Sequence, residues 1–167
     1  SIVVLQFPSS VVSQRASLPE NVSQIILDTM DELHLQEQLA TLSEHSIQSF
    51  IYLHPPFQLS EGADLSFSET EKSLIKHVFF MAKHLKDSLN RPDQNSRSSF
   101  ITVARLDGQL GLSENATFGP LAGGLFGLTK SLNLEWPSVF CRAIDIEKNL
   151  DPNQAASSLI DELYDPD

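Results

Sequence analysis

The chain has 167 residues, 41% of them hydrophobic, which suffices for one globular domain burying about 70% of its chain surface and leaves no room for a second comparable core. Its 22 acidic and 11 basic residues give a net charge of −11, which repels phosphate backbones and anionic lipid and so excludes nucleic acid and an anionic membrane surface as expected partners. The single cysteine, Cys141 in the run VFCRAIDI, excludes an internal disulfide, reads as a small core residue and fits a reducing, cytoplasmic setting. The opening SIVVLQF is too short for a signal peptide core and lacks a basic flank, and no apolar run approaches the roughly 20 residues of a membrane span, so the expectation is a soluble protein.

Short β-branched or aromatic runs alternate with longer amphipathic ones, the pattern of a parallel sheet covered by helices. Residues 1–7 form the first predicted strand, stopped by Pro8. Asn21 and Gln24 have the spacing of a capping box, and Val22, Ile25, Ile26, Met30 and Leu33 share one helical face, which predicts a helix from there to about Leu42. The apolar run SIQSFIYLHPP predicts a strand buried on both faces and ended by Pro55 and Pro56. Ser68 and Glu71 cap the next predicted helix, with Leu74, Ile75, Val78, Ala82, Leu85 and Leu89 at helical spacing, and NRPDQNSRSS has turn chemistry throughout. FITVARL is the third predicted strand, with Asp107-Gly108 opening the loop behind it. Pro120 suits a first helical turn, and Leu121, Leu125, Leu128, Leu132 and Trp136 give the following helix an apolar stripe up to Pro137. VFCRAIDI is a fourth strand, and Asp151, Pro152 and Gln154 start a last helix with Ala155, Leu159, Ile160 and Leu163 inward. The predicted fold is a single α/β domain over residues 1–167, a truncated Rossmann-like three-layer sandwich with a mostly parallel sheet. A sheet that opens on a strand and ends at YDPD has edges to cover, which predicts docking, or self-association when isolated.

From about Ile47 to Ile146 the chain resembles the short-chain dehydrogenase/reductase family, on the stretch GGLFGLTKSLNLEWPSVFCRAIDI. In that family a tyrosine and, four residues later, a lysine precede the GLTKSL stretch. The resemblance places Phe118 at the tyrosine position and Ala122 at the lysine position, with Gly123 and Gly124 where the family has small residues. The serine position, about thirteen residues earlier, falls on Arg105 or Leu106, and Ile146-Glu147 stands where the family has the Pro-Gly under the nicotinamide. Carbonyl reduction by hydride needs an acid for the nascent alkoxide, a lysine to tune that acid and a hydroxyl to orient the carbonyl. Phe118 and Ala122 supply neither acid nor charge, and a glycine-rich phosphate loop is missing, since Gly123-Gly124 falls within a helix. The expected catalytic and cofactor-binding residues of this chain are therefore none, with Arg105, Phe118, Ala122, Ile146 and Glu147 as degenerate positions.

Such a fold without its reactive groups resembles the structural, non-catalytic subdomain of the ketoreductase domain in modular polyketide and polyunsaturated fatty acid synthases, with EWP closing the helix and RAIDI in the strand as the more specific elements. That resemblance implies a fragment of a larger multidomain synthase, docked on a catalytic ketoreductase half that binds NADPH. Neighbouring synthase domains are further implied partners, and acyl carrier protein is an indirect one. A free-standing pseudoenzyme scaffold or small-molecule binding protein, and a divergent working NADPH-dependent reductase, are the alternatives.

Several titratable groups read as structural. His77 and His84, seven apart on one helix and about 10 Å from each other, are too distant to share a metal and read as solvated. Asp28, Asp31 and Glu32, and separately Glu69 and Glu71, read as polar helix faces or as carboxylates favouring a helix start. His54, at the carboxyl end of a strand, reads as a remnant of architecture before it reads as a catalytic base. Ser9, Ser10 and Ser13 lack the glycine-flanked turn of a nucleophile elbow, and Trp136 is expected to pack the helix end with its N–H near the surface.

Overall fold

A computed structural model of the chain describes residues 1–12, 17–42, 47–55, 68–91, 97–112 and 121–165. In chain order the elements are β1 (Val3–Gln6), β2 (Ser23–Ile26), α1 (Glu32–Ala40), β3 (Ser49–Leu53), α2 (Glu69–Leu89), β4 (Ser98–Ala104), α3 (Ala122–Glu135), β5 (Val139–Asp145) and α4 (Pro152–Tyr164). Among the described residues every strand pair is parallel. β1 pairs with β2, and β3, β4 and β5 form a second sheet in that order.

The period of two along β4 builds the layers. Phe100 and Thr102 point to one face, where Phe100 joins Tyr52, Val78, Ala82, Leu85, Leu89, Leu125, Leu132 and Trp136 in the main core under α2 and α3. Ile101 and Val103 point to the other face and pack with Ile146 and Ala155, flanked by Ile144, Leu159 and Leu163, under α4. Helices therefore cover both faces, as the expected three-layer α/β arrangement requires. All seven residues of β4 are buried because this strand is central and covered on both sides.

The helix starts are set by caps. The Ser68 Oγ accepts the Glu71 N–H at 3.5 Å, and the Asp151 Oδ1 accepts the Asn153 and Gln154 N–H groups at 2.9 and 3.3 Å, with Pro152 in the first turn.

Some expectations need correction. No helix starts at Asn21, because residues 23–26 form β2 and the helix begins only at Glu32. The β-branched Ile25 and Ile26 that matched a helical face instead continue a ladder. The Ser23 N–H donates to the Ile2 carbonyl at 3.1 Å and the Leu27 N–H to the Gln6 carbonyl at 2.9 Å, so tertiary pairing overrides the local spacing. β3 is not buried on both faces either: Ile51 and Leu53 are 42% and 61% exposed, since α4 covers only the β4 and β5 side. Trp136 is 3% exposed and sits edge-on to Phe100 at 5.8 Å, so it belongs to the core rather than to the surface end of α3. Ile160, expected inward on α4, is 54% exposed.

Candidate functional site

Sites in parallel sheets form at the carboxyl ends of the strands, and here the ends of β3, β4 and β5 meet the starts of α2 and α3. Tyr52 and His54 lie two residues apart, so the pleat turns both side chains to the same face. The Tyr52 hydroxyl is 2.9 Å from the His54 Nδ1, and the other ring nitrogen, Nε2, faces the Glu71 Oε1 at 3.7 Å. That second spacing is an electrostatic approach and is too long for a hydrogen bond. The His54 backbone N–H donates to the Val103 carbonyl at 2.8 Å, which extends the ladder one residue past β3 and fixes the ring at the strand end. Glu71, in the first turn of α2, turns inward and is 3% exposed.

All three side chains are buried, and that sets their protonation. Burial lowers His54 to about 4, which makes the imidazole neutral at pH 7. Burial raises the Glu71 carboxyl above the ordinary range, and the Ala122 N–H works in the opposite direction. Burial, and then the Glu71 charge, push the Tyr52 phenol up. The phenol can donate to Nδ1, which leaves the proton of neutral His54 on Nε2, directed at Glu71. The set thus joins the end of β3 to the start of α2 through proton-bearing groups packed inside the fold.

The expected positions fall around this set. Ala122 is 3% exposed and packs with Ala104 and Leu106, with Phe126 against them. Arg105 turns away, its Nη1 donating to the Lys148 and Leu150 carbonyls at 3.2 Å each. Ile146 is 6% exposed in the α4 layer, and its N–H donates to the Ala104 carbonyl at 2.9 Å. Glu147 is exposed, beside Gly108. Phe118 and Pro120 lie outside the described residues, as does Ser13. Ser9 and Ser10 sit in the turn after β1.

The expectation about the helix histidines changes, and the helix carboxylates divide. Glu69 and Glu71 both stand in the first turn of α2, as expected at a helix start, but Glu71 is 3% exposed whereas Glu69 points outward and pairs with Lys72 at 2.6 Å. His77 is 1% exposed with its ring 5.6 Å from that of Phe7, and burial lowers it to about 4. His84 is half-buried beside Glu32, 3.1 Å from the Oε1 that also takes the Lys83 Nζ at 2.7 Å. The two histidines share a helix but no partner. Among the described residues no group of three or more His, Cys, Asp or Glu side chains is placed to hold a metal ion, and no helix is long and apolar enough to cross a membrane.

Asp145 carries no local signal in the sequence, yet it organises this end of the sheet. Its carboxylate accepts the Leu106 N–H at 2.9 Å and the Leu110 N–H at 2.8 Å, which ties the loop after β4 to the end of β5. Burial raises its carboxyl, and those two N–H groups oppose the rise. The loop closes through positive φ at Gly108 (72°), Leu110 (59°) and Gly111 (82°), and its turn is held by the Asp107 Oδ1, 2.8 Å from the Gln109 and Gly111 nitrogens. A shallow groove lies at the opposite end of the sheet, lined by Ser49, Arg97, Ser99, Leu163, Tyr164 and Asp165, away from all of these groups.

No known protein-family profile matches the sequence. The chain is 36% identical over 97 residues to a polyunsaturated fatty acid synthase subunit of Thraustochytrium sp., a match that covers 54% of this chain and 3% of the synthase polypeptide. Its structure is similar to that of a short chain dehydrogenase family protein from Francisella tularensis subsp. tularensis SCHU S4, with a TM-score of 0.57, 17% identity, and coverage of 84% of this chain and 57% of that one. The chain therefore has an α/β fold of the short-chain dehydrogenase type and a sequence similar to a small part of a polyunsaturated fatty acid synthase subunit.

Proposed function

We propose that this chain is the structural, non-catalytic half of a β-ketoacyl reductase domain in a polyunsaturated fatty acid or polyketide synthase, where it supports an adjacent half that binds NADPH. One observation carries the reading. Ala122, which the resemblance places at the family's lysine position, is built into the apolar cluster of Ala104 and Leu106. A lysine there would have to bury its ammonium in apolar surroundings. The partial likeness to a fatty acid synthase supports the same reading.

Among the described residues, none suits a dinucleotide. Such a cofactor needs several backbone N–H groups converging at a glycine-rich helix start. Here the turn after β1 is Pro8, Ser9, Ser10 and Val11, with the Val11 and Val12 N–H groups already bonded to the Pro8 carbonyl at 2.9 and 3.0 Å. Ile146 and Glu147 offer the nicotinamide a packed isoleucine and a carboxylate in place of a small turn. NADPH and the carrier-bound substrate accordingly belong to the partner half, and the exposed Ile51 and Leu53 offer that half an apolar surface on β3.

The test is to express the catalytic half with and without this segment and to measure thermal stability and NADPH-dependent reduction of a β-ketoacyl thioester. Loss of stability and activity without the segment is the expected result. A catalytic half equally stable and active alone would show that the role is wrong and favour a free-standing scaffold.

A further inference from the structure

Two buried hydroxyls of β4 differ in what they find. Thr102, on the face under α2 and α3, meets Thr129 at 2.7 Å. Ser99, three residues earlier and therefore on the α4 face, is 4% exposed, and its Oγ makes no hydrogen bond among the described residues, although its N–H donates to the Gln48 carbonyl at 2.9 Å. An unpaired buried hydroxyl is a cost that native interiors seldom carry without a use. Ser99 lines the groove at the amino end of the sheet, a cavity of about 590 Å³, which falls in the size range of small-molecule sites, roughly 300–1,000 Å³. Ser49, its register partner on β3, brings a second hydroxyl to the same groove, and Leu163 and Tyr164 from the end of α4 give it an apolar side.

Arg97 supplies the charge. Its guanidinium stacks 3.8 Å from the Phe140 ring, and its Nη2 donates to the Leu163 and Asp165 carbonyls at 3.1 and 2.6 Å, so the side chain is held in place. Both of those partners are neutral. The carboxylates of Glu162 and Asp165 are taken by Arg142 instead, which leaves Arg97 without an ion pair among the described residues of a chain that has 22 acidic and 11 basic residues.

We propose that this groove binds a small carboxylate with an apolar stem, the carboxylate taking the Arg97 guanidinium and the Ser49 and Ser99 hydroxyls, and the stem lying against Leu163 and Tyr164. A guanidinium and two hydroxyls can all donate to an oxyanion, and the charge strengthens each bond. The site lies at the end of the sheet away from Tyr52, His54 and Glu71, so the inference stands whether or not the chain has the synthase role proposed above.

The probe is sodium butyrate, titrated into the isotope-labelled chain. The amide resonances of Ser49, Ser99, Leu163 and Tyr164 should shift saturably, with a dissociation constant on the order of millimolar for a ligand of this size. Sodium chloride at equal ionic strength and butylammonium chloride leave them in place. Ser99→Ala weakens butyrate about tenfold and leaves the melting temperature of the free chain within about 1 °C, because the hydroxyl it removes has no partner in the fold. Ser49→Ala, at an exposed position, weakens butyrate about threefold and serves as the second variant if Ser99→Ala does not fold. Absence of saturable shifts, an equal response to butylammonium, or wild-type affinity in either serine variant overturns the proposal. A fall of several degrees in the melting temperature of Ser99→Ala would assign the hydroxyl to the fold and overturn it as well.

Discussion

The Thr102 and Thr129 hydroxyls lie 2.7 Å apart in the middle of the fold and join β4 to α3 at residues that are 0% and 1% exposed. The direction of the bond is settled by a neighbour: the Thr129 Oγ1 donates to the Leu125 carbonyl at 2.8 Å, so Thr102 is the donor between the two hydroxyls. This makes the pair asymmetric. Thr129→Val leaves the buried Thr102 proton without an acceptor and costs about 1–3 kcal/mol, whereas Thr102→Val leaves Thr129 its own acceptor and costs about 1 kcal/mol or less. The double variant recovers part of the Thr129→Val loss. Urea denaturation of the three variants measures the order, and equal losses for the two single variants would refute the donor assignment.

Acid sensitivity follows from His54 and His77. Both are lowered to about 4 by burial, from an ordinary value of 6.5. Between these values the unfolded chain binds protons that the folded chain refuses, so stability falls as pH falls from about 6.5 toward 4. The loss is on the order of 1–3 kcal/mol for each histidine over the full window. Glu71 acts with the opposite sign, because its raised carboxyl contributes stability at low pH that is lost as pH rises through its folded value. The denaturant midpoint should therefore be lower at pH 5 than at pH 7, and His77→Leu should narrow the difference. A variant with wild-type pH dependence would remove His77 from the account.

The Asp145 carboxylate holds a loop whose closure forces a leucine into the left-handed region. Leu110 has φ of 59° and is 59% exposed, so Leu110→Gly relieves strain of about 1 kcal/mol without opening a cavity. Asp145→Asn weakens the bonds to the Leu106 and Leu110 N–H groups and lowers stability by about 1–2 kcal/mol. Amide exchange at Leu110 should speed up in Asp145→Asn. Unaltered exchange there would mean that the loop is held by Asp107 alone.

Installing the two reactive side chains that the resemblance would call for should not confer chemistry. The Phe118→Tyr, Ala122→Lys pair leaves Ile146 packed in the α4 layer and puts a lysine into the cluster of Ala104 and Leu106. The expected outcome is a loss of about 2–4 kcal/mol in stability and no NADPH oxidation above background with a β-ketoacyl thioester. Measurable turnover by the pair would favour a divergent working reductase.

The exposed Ile51 and Leu53 predict concentration-dependent self-association of the isolated chain. Replacing both with threonine keeps the β-propensity of β3 and removes the apolar surface, so sedimentation should shift toward monomer while the melting temperature changes by no more than a few degrees. Association that persists in the double variant would assign it to another face.

The alternation of apolar runs and the caps at Ser68 and Asp151 were legible in the sequence because they depend on residues within a few positions of one another. The same holds for the parallel three-layer plan, since β4 and β5 read as near-continuous apolar runs set between helical patterns. What tertiary structure decided is where local signals were ambiguous or irrelevant. Ile25 and Ile26 fit a helical face as well as a strand, and only pairing with β1 made them β2. Glu71 has the spacing of a capping-box residue, yet its side chain is buried 3.7 Å from the His54 ring at the end of another element. Tyr52 and His54 carried a readable hint, since two polar groups two apart in a strand share a face, but nothing local says that a buried carboxylate will meet them. Hydrophobic spacing is a property of neighbours along the chain, and a buried polar pairing is a property of neighbours in space.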